Sequence, residues 1–336
     1  MREFVCIFGP TGVGKTALIE GLFCAQGISW RRHRPQRLPN GAGISDVPSA
    51  EVISADSMQV YRGFDIGTAK PDIRARSCRP HHLIDICDPH EAYDVGRFVS
   101  DADNLIADIS SRQKLPVVSG GTAFYFKHLL YGLPEAPPSN PLIRSELEAE
   151  LASQGVREMY SRLNGIDPEA AARIAPTDAY RILRALEVWR TSGHTLSSFH
   201  VPSRLRDDVR ALVIGLYRDR SHLYERINLR VSGMIDAGLG DEVKGLLTAG
   251  VSAEAPAMRA IGYREWLEHG FPEHSDDETL HSIVRRIQKN SRHYAKRQLT
   301  FFRRLQDVHW INMGNSPDDA RRGAEQAARL IADFCR

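Results

Sequence analysis

The sequence predicts an α/β fold: a P-loop NTPase-like parallel sheet core flanked by helices, into which an all-helical module is inserted. Three observations carry this reading. An apolar run rich in strand formers, Phe4 to Phe8, leads into a glycine-rich loop and then into helical periodicity from Thr16 to Phe23. Further buried-strand candidates at Glu51 to Ser54, Leu115 to Ser119 and Ala211 to Leu216 alternate with helical patterns such as Gly96 to Ser111, as a parallel sheet wrapped by helices requires. Last, Gly132 to Pro141 carries four prolines in ten residues, which forbids regular structure, and the pattern beyond it is helical as far as about His200.

The elements follow in order. After the first strand and helix, Gln26 to Ser49 carries Arg31, Arg32, His33, Arg34 and Arg37 among glycines and prolines, and reads as a long basic surface loop. The core's first part is expected over 1–137. The proline-rich stretch acts as a hinge into a helical insertion over 138–207, with helices at Arg144 to Ala152, Val156 to Leu163, Pro168 to Ile174 and Asp178 to Thr191. The core resumes over 208–314 with a strand and the helices Ser221 to Ala237, Gly240 to Ala249, Gly262 to His269 and Asp276 to Leu305. Residues 315–336 read as a C-terminal tail.

Gross composition narrows the function. In 336 residues, 44 Lys plus Arg balance 42 Asp plus Glu for a formal charge of +2, so any site for a polyanion must be local. The cysteines Cys6, Cys24, Cys78, Cys87 and Cys335 form no CxxC pair and no zinc spacing, and read as reduced thiols of a cytoplasmic protein. The start runs directly into the glycine loop and no apolar stretch reaches membrane-spanning length, so neither leader nor anchor is expected. Nothing demands more than a monomer.

Gly9-Pro10-Thr11-Gly12-Val13-Gly14-Lys15-Thr16 fits GxxxxGK[ST]. The glycines let successive N–H groups point inward, Lys15 adds a point charge, and Thr16 offers a hydroxyl to Mg²⁺. The helix N-terminus behind them favours an anion. The loop therefore binds a di- or triphosphate with a divalent metal, ATP by default. Asp56 stands just beyond the strand at Val52-Ile53, the edge where open parallel sheets hold ligands. It can be a metal ligand, a general base or a helix N-cap. Asp65 to Pro71, His81-His82 and Ser119-Gly120-Gly121-Thr122 add polar or small residues near that edge, whereas the Leu115 strand lacks the acid of a straightforward ATPase. From Thr279 to Gln306 there are eight Lys or Arg, no acid, and interleaved Tyr294, Phe301 and Phe302: a candidate nucleic-acid stripe, or a solvated basic face over core aromatics.

Taken in order, GPTGVGKT, ISADSMQVYRGFDIGTAKP, HHLIDICDP, SGGTAFYFKHLLYGL, RILRALEVWRTSG, MRAIGYREW and YAKRQLTFFR resemble the bacterial tRNA dimethylallyltransferases, also called tRNA isopentenyltransferases. The resemblance runs from about Phe4 to about Asn312. It implies transfer of a dimethylallyl group from dimethylallyl diphosphate to the exocyclic N6 of the adenosine 3′ of the anticodon, in tRNAs reading codons that begin with U. Under it Gly9 to Thr16 cradle the diphosphate with Mg²⁺, Lys15 and Thr122 assist catalysis, and Asp56 is the general base. The insertion becomes a tRNA-binding domain. Implied contacts with the anticodon stem-loop are Asp56, Ser57, Met58, Gln59, Thr122, Arg144, Tyr180, Arg181, Ile182, Leu183, Arg184, Arg259, Ala260, Ile261, Gly262, Tyr263 and Arg264. Two positions depart from the pattern: Gly12-Val13 replaces Ala-Ser or Ala-Val, and Arg259 stands where many members have Gln. A P-loop small-molecule kinase and an isopentenyltransferase acting on free adenine nucleotides share the cradle. Neither needs the insertion or the basic helix.

Overall fold

The computed structural model describes residues 1–23, 49–200, 202–270 and 277–336. The basic loop over 26–49 lies, apart from Ser49, outside the described residues. The chain divides into two compact units, residues 1–130 with 207–336, and residues 131–206.

The first unit is built on a parallel sheet of six strands among the described residues: β1 (Arg2–Phe8), β2 (Ala50–Ala55), β3 (His81–His82), β4 (Leu115–Gly120), β5 (Val209–Tyr217) and β6 (His309–Asn312). Their order across the sheet is β3-β2-β4-β1-β5-β6. Phe4 to Phe8 in β1 are fully buried, which explains a continuous apolar run in place of alternation: helices cover both faces. The helices of this unit are α1 (Lys15–Phe23), α2 (Ile73–Cys78), α3 (Val95–Ser111), α4 (Ala123–Tyr131, whose last residue falls in the second unit), α8 (Arg220–Asp236), α9 (Leu239–Thr248), α10 (Arg264–Glu268), α11 (Asp277–Phe302) and α12 (Pro317–Phe334). Asp94 caps α3 by accepting from the Arg97 N–H at 2.8 Å, and the apolar spacing of Phe98, Val99, Ala102, Ile106 and Ile109 turns one face onto the sheet.

Residues 315–336 are no tail. Ser316 and Asp319 form a capping box that starts α12, and Ala324, Ala327, Ala328 and Ile331 bury its inner face in the core that also holds Leu18, Leu22 and Ile214. Edge strand β6 was likewise not expected. Among the cysteines, Cys6, Cys87 and Cys335 are free thiols, as expected, whereas Cys78 is disulfide-bonded, which corrects the reading there. Among the described residues no helix is long and apolar enough to cross a membrane.

The second unit consists of α5 (Pro141–Ile166), α6 (Pro168–Arg173) and α7 (Ala179–Ser192). Gly155, with φ 81° and ψ 161°, breaks α5 where the sequence predicts two helices. Leu147, Met159, Leu163, Ile182 and Leu186 form its core. The fully buried Glu187 accepts from Ser139 Oγ at 2.6 Å and from the Asn140 N–H at 2.7 Å, and Arg184 stands 3.2 Å away. The end of the proline-rich stretch is thus tied down to α7.

At the end of β4, Gly120 leaves no room for a side chain: a Cβ there would lie 2.1 Å from the Ala55 carbonyl oxygen. Gly120→Ala must push β2 and β4 apart, and overpacking of this kind costs about 1–3 kcal/mol. The expected outcome is a lower urea midpoint at unchanged m-value, read by circular dichroism.

Candidate active site

The sheet register brings the three loops of interest to one edge. Phe8 of β1 pairs with Gly120 of β4, and Gly120 pairs in turn with Ala55 of β2. The next residues off these strands are Gly9, Gly121 and Asp56, so the phosphate loop, the Gly121-Thr122 turn and the acidic loop leave the sheet side by side.

The phosphate loop is shaped from within and from outside. Gly12 and Gly14 adopt φ of 80° and 111°, which only glycine takes without strain. Val13 plugs into the core. Arg218 donates through Nε to Val13 O at 2.8 Å and Arg226 through Nε to Gly12 O at 2.9 Å, holding the loop's carbonyls on the outer side. Lys15 Nζ folds back onto Gly9 O at 2.8 Å and Pro10 O at 3.1 Å. Burial, with the Arg230 guanidinium adding repulsion, pushes the Lys15 ammonium down to about 7, while Asp56 pulls the other way. Arg230 lies on α8 one turn beyond Arg226; crowding by surrounding protein lowers its guanidinium, and the Asp56 charge opposes this. Sequence reasoning missed Arg218, Arg226 and Arg230. The i, i+4 pair on the helix after a core strand was the available signal.

Asp56 is held in a turn: its Oδ1 accepts from the Met58 N–H at 2.9 Å. No helix follows directly, so the N-cap reading falls away. Thr122 Oγ1 accepts from the Ser57 N–H at 3.0 Å, and the Thr122 N–H donates to Ala55 O at 3.1 Å, so Thr122 braces the acidic loop from the β4 side. Gln59 donates through Nε2 to Thr68 O and Ala69 O, each at 3.3 Å, and its Oε1 accepts from Ser54 Oγ at 3.0 Å. Lys15, Thr16, Ser54, Asp56, Gln59 and Gly120 line one cavity. Phosphate cradle and carboxylate therefore face the same space. Among the described residues no group of three or more His, Cys, Asp or Glu forms a metal cage. The Thr16 hydroxyl at the start of α1 suits an ion that keeps most of its water and shares phosphate oxygens, as Mg²⁺ does.

A model of the IPP transferase family matches residues 59–305. The chain is a member of that family. It is 42% identical over 313 residues to the tRNA dimethylallyltransferase of Syntrophobacter fumaroxidans, covering 93% of this chain and 84% of the relative. To the enzyme of the same name from Geobacter metallireducens it is 42% identical over 310 residues, covering 92% of each chain. Among solved structures, the full-length tRNA isopentenylpyrophosphate transferase of Bacillus halodurans superposes with a TM-score of 0.64 at 35% identity, covering 100% of this chain and 98% of that one.

The other expected contacts divide by burial in this IPP transferase. Ile182 and Leu183 belong to the core of the helical unit, so their side chains cannot meet RNA. Gly262 and Tyr263 are buried too. The Tyr263 ring packs on Gly67, and its hydroxyl donates to Glu242 Oε1 at 2.6 Å. Tyr180, Arg181 and Arg259 are exposed; Arg144, which lies over the Tyr180 ring at 5.0 Å, and Arg184, Ala260, Ile261 and Arg264 are partly so. His293, Lys296, Arg297, Thr300 and Phe301 of α11, with Arg304 just beyond it, line an open concavity, and Tyr294, Ala295, Gln298 and Phe302 turn toward the protein. The helix thus carries a solvated basic face outside and buries Phe302 in the core inside.

Lys15 sets a pH dependence with a definite sign. Between about 7 and its ordinary value of 10.5 the unfolded chain keeps a proton that folded Lys15 has lost, so its penalty on folding lifts as pH rises through that window. Lys15→Met is expected to flatten this part of the ligand-free stability profile, measured by urea unfolding from pH 6.5 to 10.

Proposed function

We propose that this IPP transferase moves a dimethylallyl group from dimethylallyl diphosphate to the exocyclic N6 of the adenosine 3′ of the anticodon, in tRNAs reading codons that begin with U, and releases diphosphate. The observation that carries the reading is the shared cavity: the phosphate loop and Asp56 line one space at one sheet edge. A kinase would need its acid elsewhere, beside a second phosphate-loop strand.

In this reading the N6 lone pair attacks the allylic carbon as its bond to the diphosphate oxygen breaks. The electron pair of that bond leaves on the diphosphate, where the loop N–H groups, Lys15 and Arg230 meet the growing charge. N6 sheds a proton to Asp56, whose carboxylate is fixed by the Met58 N–H. An aromatic amine is a poor nucleophile because its lone pair is delocalised, so base assistance at the moment of attack matters. Thr122 orients the acidic loop through the Ser57 N–H. Thr16 would hold Mg²⁺, which when bound would neutralise part of the diphosphate charge.

The target base is stacked in an anticodon loop and has to be extruded into the cavity. Asp56 and Gln59 line that cavity, and Ser57, Met58 and Thr122 complete the loop that holds them. Arg144, Tyr180, Arg181 and Arg184 of the helical unit, Arg259 and Arg264 near α10, and the outer face of α11 offer cations and rings to backbone phosphates and splayed bases. The partner is tRNA, in the cytoplasm, and the loop at Gly9 to Thr16 clamps a leaving diphosphate in place of ATP.

Incubating the protein with labelled dimethylallyl diphosphate, Mg²⁺ and unmodified tRNA should place the label on one anticodon-loop adenosine, identified by nucleoside mass analysis. Label on AMP with equal efficiency, or phosphoryl transfer from ATP with none to tRNA, overturns the reading. Asp56→Ala should bind tRNA normally and lose about 10²–10⁴-fold in turnover.

A further inference from the structure

We infer that Gln298 is a positioning residue that locks the phosphate loop to the Thr122 turn, keeping leaving group and base in register for the transfer proposed above, on which this inference rests. Among the described residues no other hydrogen-bonded tie joins those two loops. β1 and β4 bring them to the same edge, yet beyond Phe8 and Gly120 the sheet pairing stops.

Gln298 supplies the tie through one amide. Its Oε1 accepts from the Thr11 N–H at 2.9 Å, and its Nε2 donates to Gly121 O at 2.7 Å. The side chain is 4% exposed, so water does not compete for either bond. Only one amide orientation satisfies both partners, since the reverse sets N–H against N–H and oxygen against oxygen. The opposing loop is fitted to it: a Cβ on Gly121 would lie 2.5 Å from Gln298 Nε2. One turn earlier on α11, the Tyr294 hydroxyl stands beside Thr122 and Gln298. A continuous path therefore runs from Thr11 through Gln298 to Gly121 and Thr122, and through the Ser57 N–H to the loop of Asp56.

The chemistry gives this path its value. The diphosphate is fixed by the cradle and the amine by the acidic loop, so the distance between them is only as constant as the distance between the loops. Misplacement by about 1 Å at such a centre can cost about 10²-fold in rate. Gln298 performs this without touching a reacting atom, while its neighbours Lys296 and Arg297 face outward.

The test uses the full chain with Gln298→Leu and Gln298→Glu, measuring kcat and KM for dimethylallyl diphosphate, the Kd for an anticodon stem-loop, and Tm. Gln298→Glu keeps the acceptor for Thr11 and removes the donor to Gly121, so it decides the matter if the leucine variant does not fold. Expected are a kcat loss of about 10²-fold, a stem-loop Kd within about twofold, and non-additivity with Thr122→Val, as for two residues acting on one element. A folded variant with kcat within about threefold of the parent overturns the inference. So does a loss explained by weaker stem-loop binding, or losses additive with Thr122→Val. Failure of the parent itself to prenylate tRNA would instead sink the reading in the previous subsection, and is seen before any variant is made. Hydrogen exchange at the Thr11 amide then still decides the lock, since its protection should fall in Gln298→Leu if the lock exists and stay unchanged if it does not.

Discussion

The structure of the site depends on the pairing of β1, β4 and β2 in one register, with Phe8, Gly120 and Ala55 level across the sheet. Each strand ends at that line, and each releases a loop with a different chemical task. A one-residue slip would send every side chain of a strand to the other face, and the buried runs Phe4 to Phe8 and Val117 to Val118 do not tolerate that. Gly120 narrows the gap further, because the backbone of β2 occupies the space a side chain would need. The catalytic geometry is thus fixed first by strand pairing and only afterwards by side-chain contacts.

Charge is the second constraint. Arg218, Arg226, Arg230 and Lys15 gather at the cradle, where an empty site would hold several cations in crowded surroundings. Two of them are spent on loop carbonyls, Val13 O and Gly12 O, so they shape the cradle as well as charging it. Burial first, and the Arg230 charge second, push the Lys15 ammonium down to about 7. Under the proposed function, a bound diphosphate would bring the opposite charge and favour the ammonium.

Much of this was legible in the sequence because local patterns coincide with the elements they encode. The GxxxxGK[ST] spacing, the apolar runs of β1, β2, β4 and β5, and the break at Gly155 all rest on near-neighbour rules. What was not legible depends on partners far along the chain. α12 is the exception: Ser316 and Asp319 at its start and the helical spacing of Ala324, Ala327, Ala328 and Ile331 opposite a charged face are near-neighbour signals, and it was missed all the same. Ile182, Leu183 and Tyr263 sit inside stretches that resemble substrate contacts, yet helical phase and tertiary burial assign them to the core. Gln298 looked like one polar residue in a basic helix. Its role requires knowing that Thr11 and Gly121 flank it.

The segment around Tyr263 shows how buried residues can still serve the site. Glu242 on α9 accepts from the N–H groups of Asp65 at 3.0 Å, Ile66 at 2.8 Å and Gly67 at 3.2 Å, and from the Tyr263 hydroxyl. Three converging backbone donors form an anion nest, here filled by the protein's own carboxylate. Lys70 ties the same loop to Tyr61 O, Asp65 and Asp85 with its side chain almost wholly buried. The loop so anchored presents Thr68 O and Ala69 O, on which the Gln59 amide rests. Gln59 lines the cavity beside Asp56. The tyrosine therefore holds, through Glu242 and the loop at Asp65 to Ala69, the floor on which the cavity residue Gln59 is oriented, and an RNA contact is not needed to explain why a large ring is built into that position.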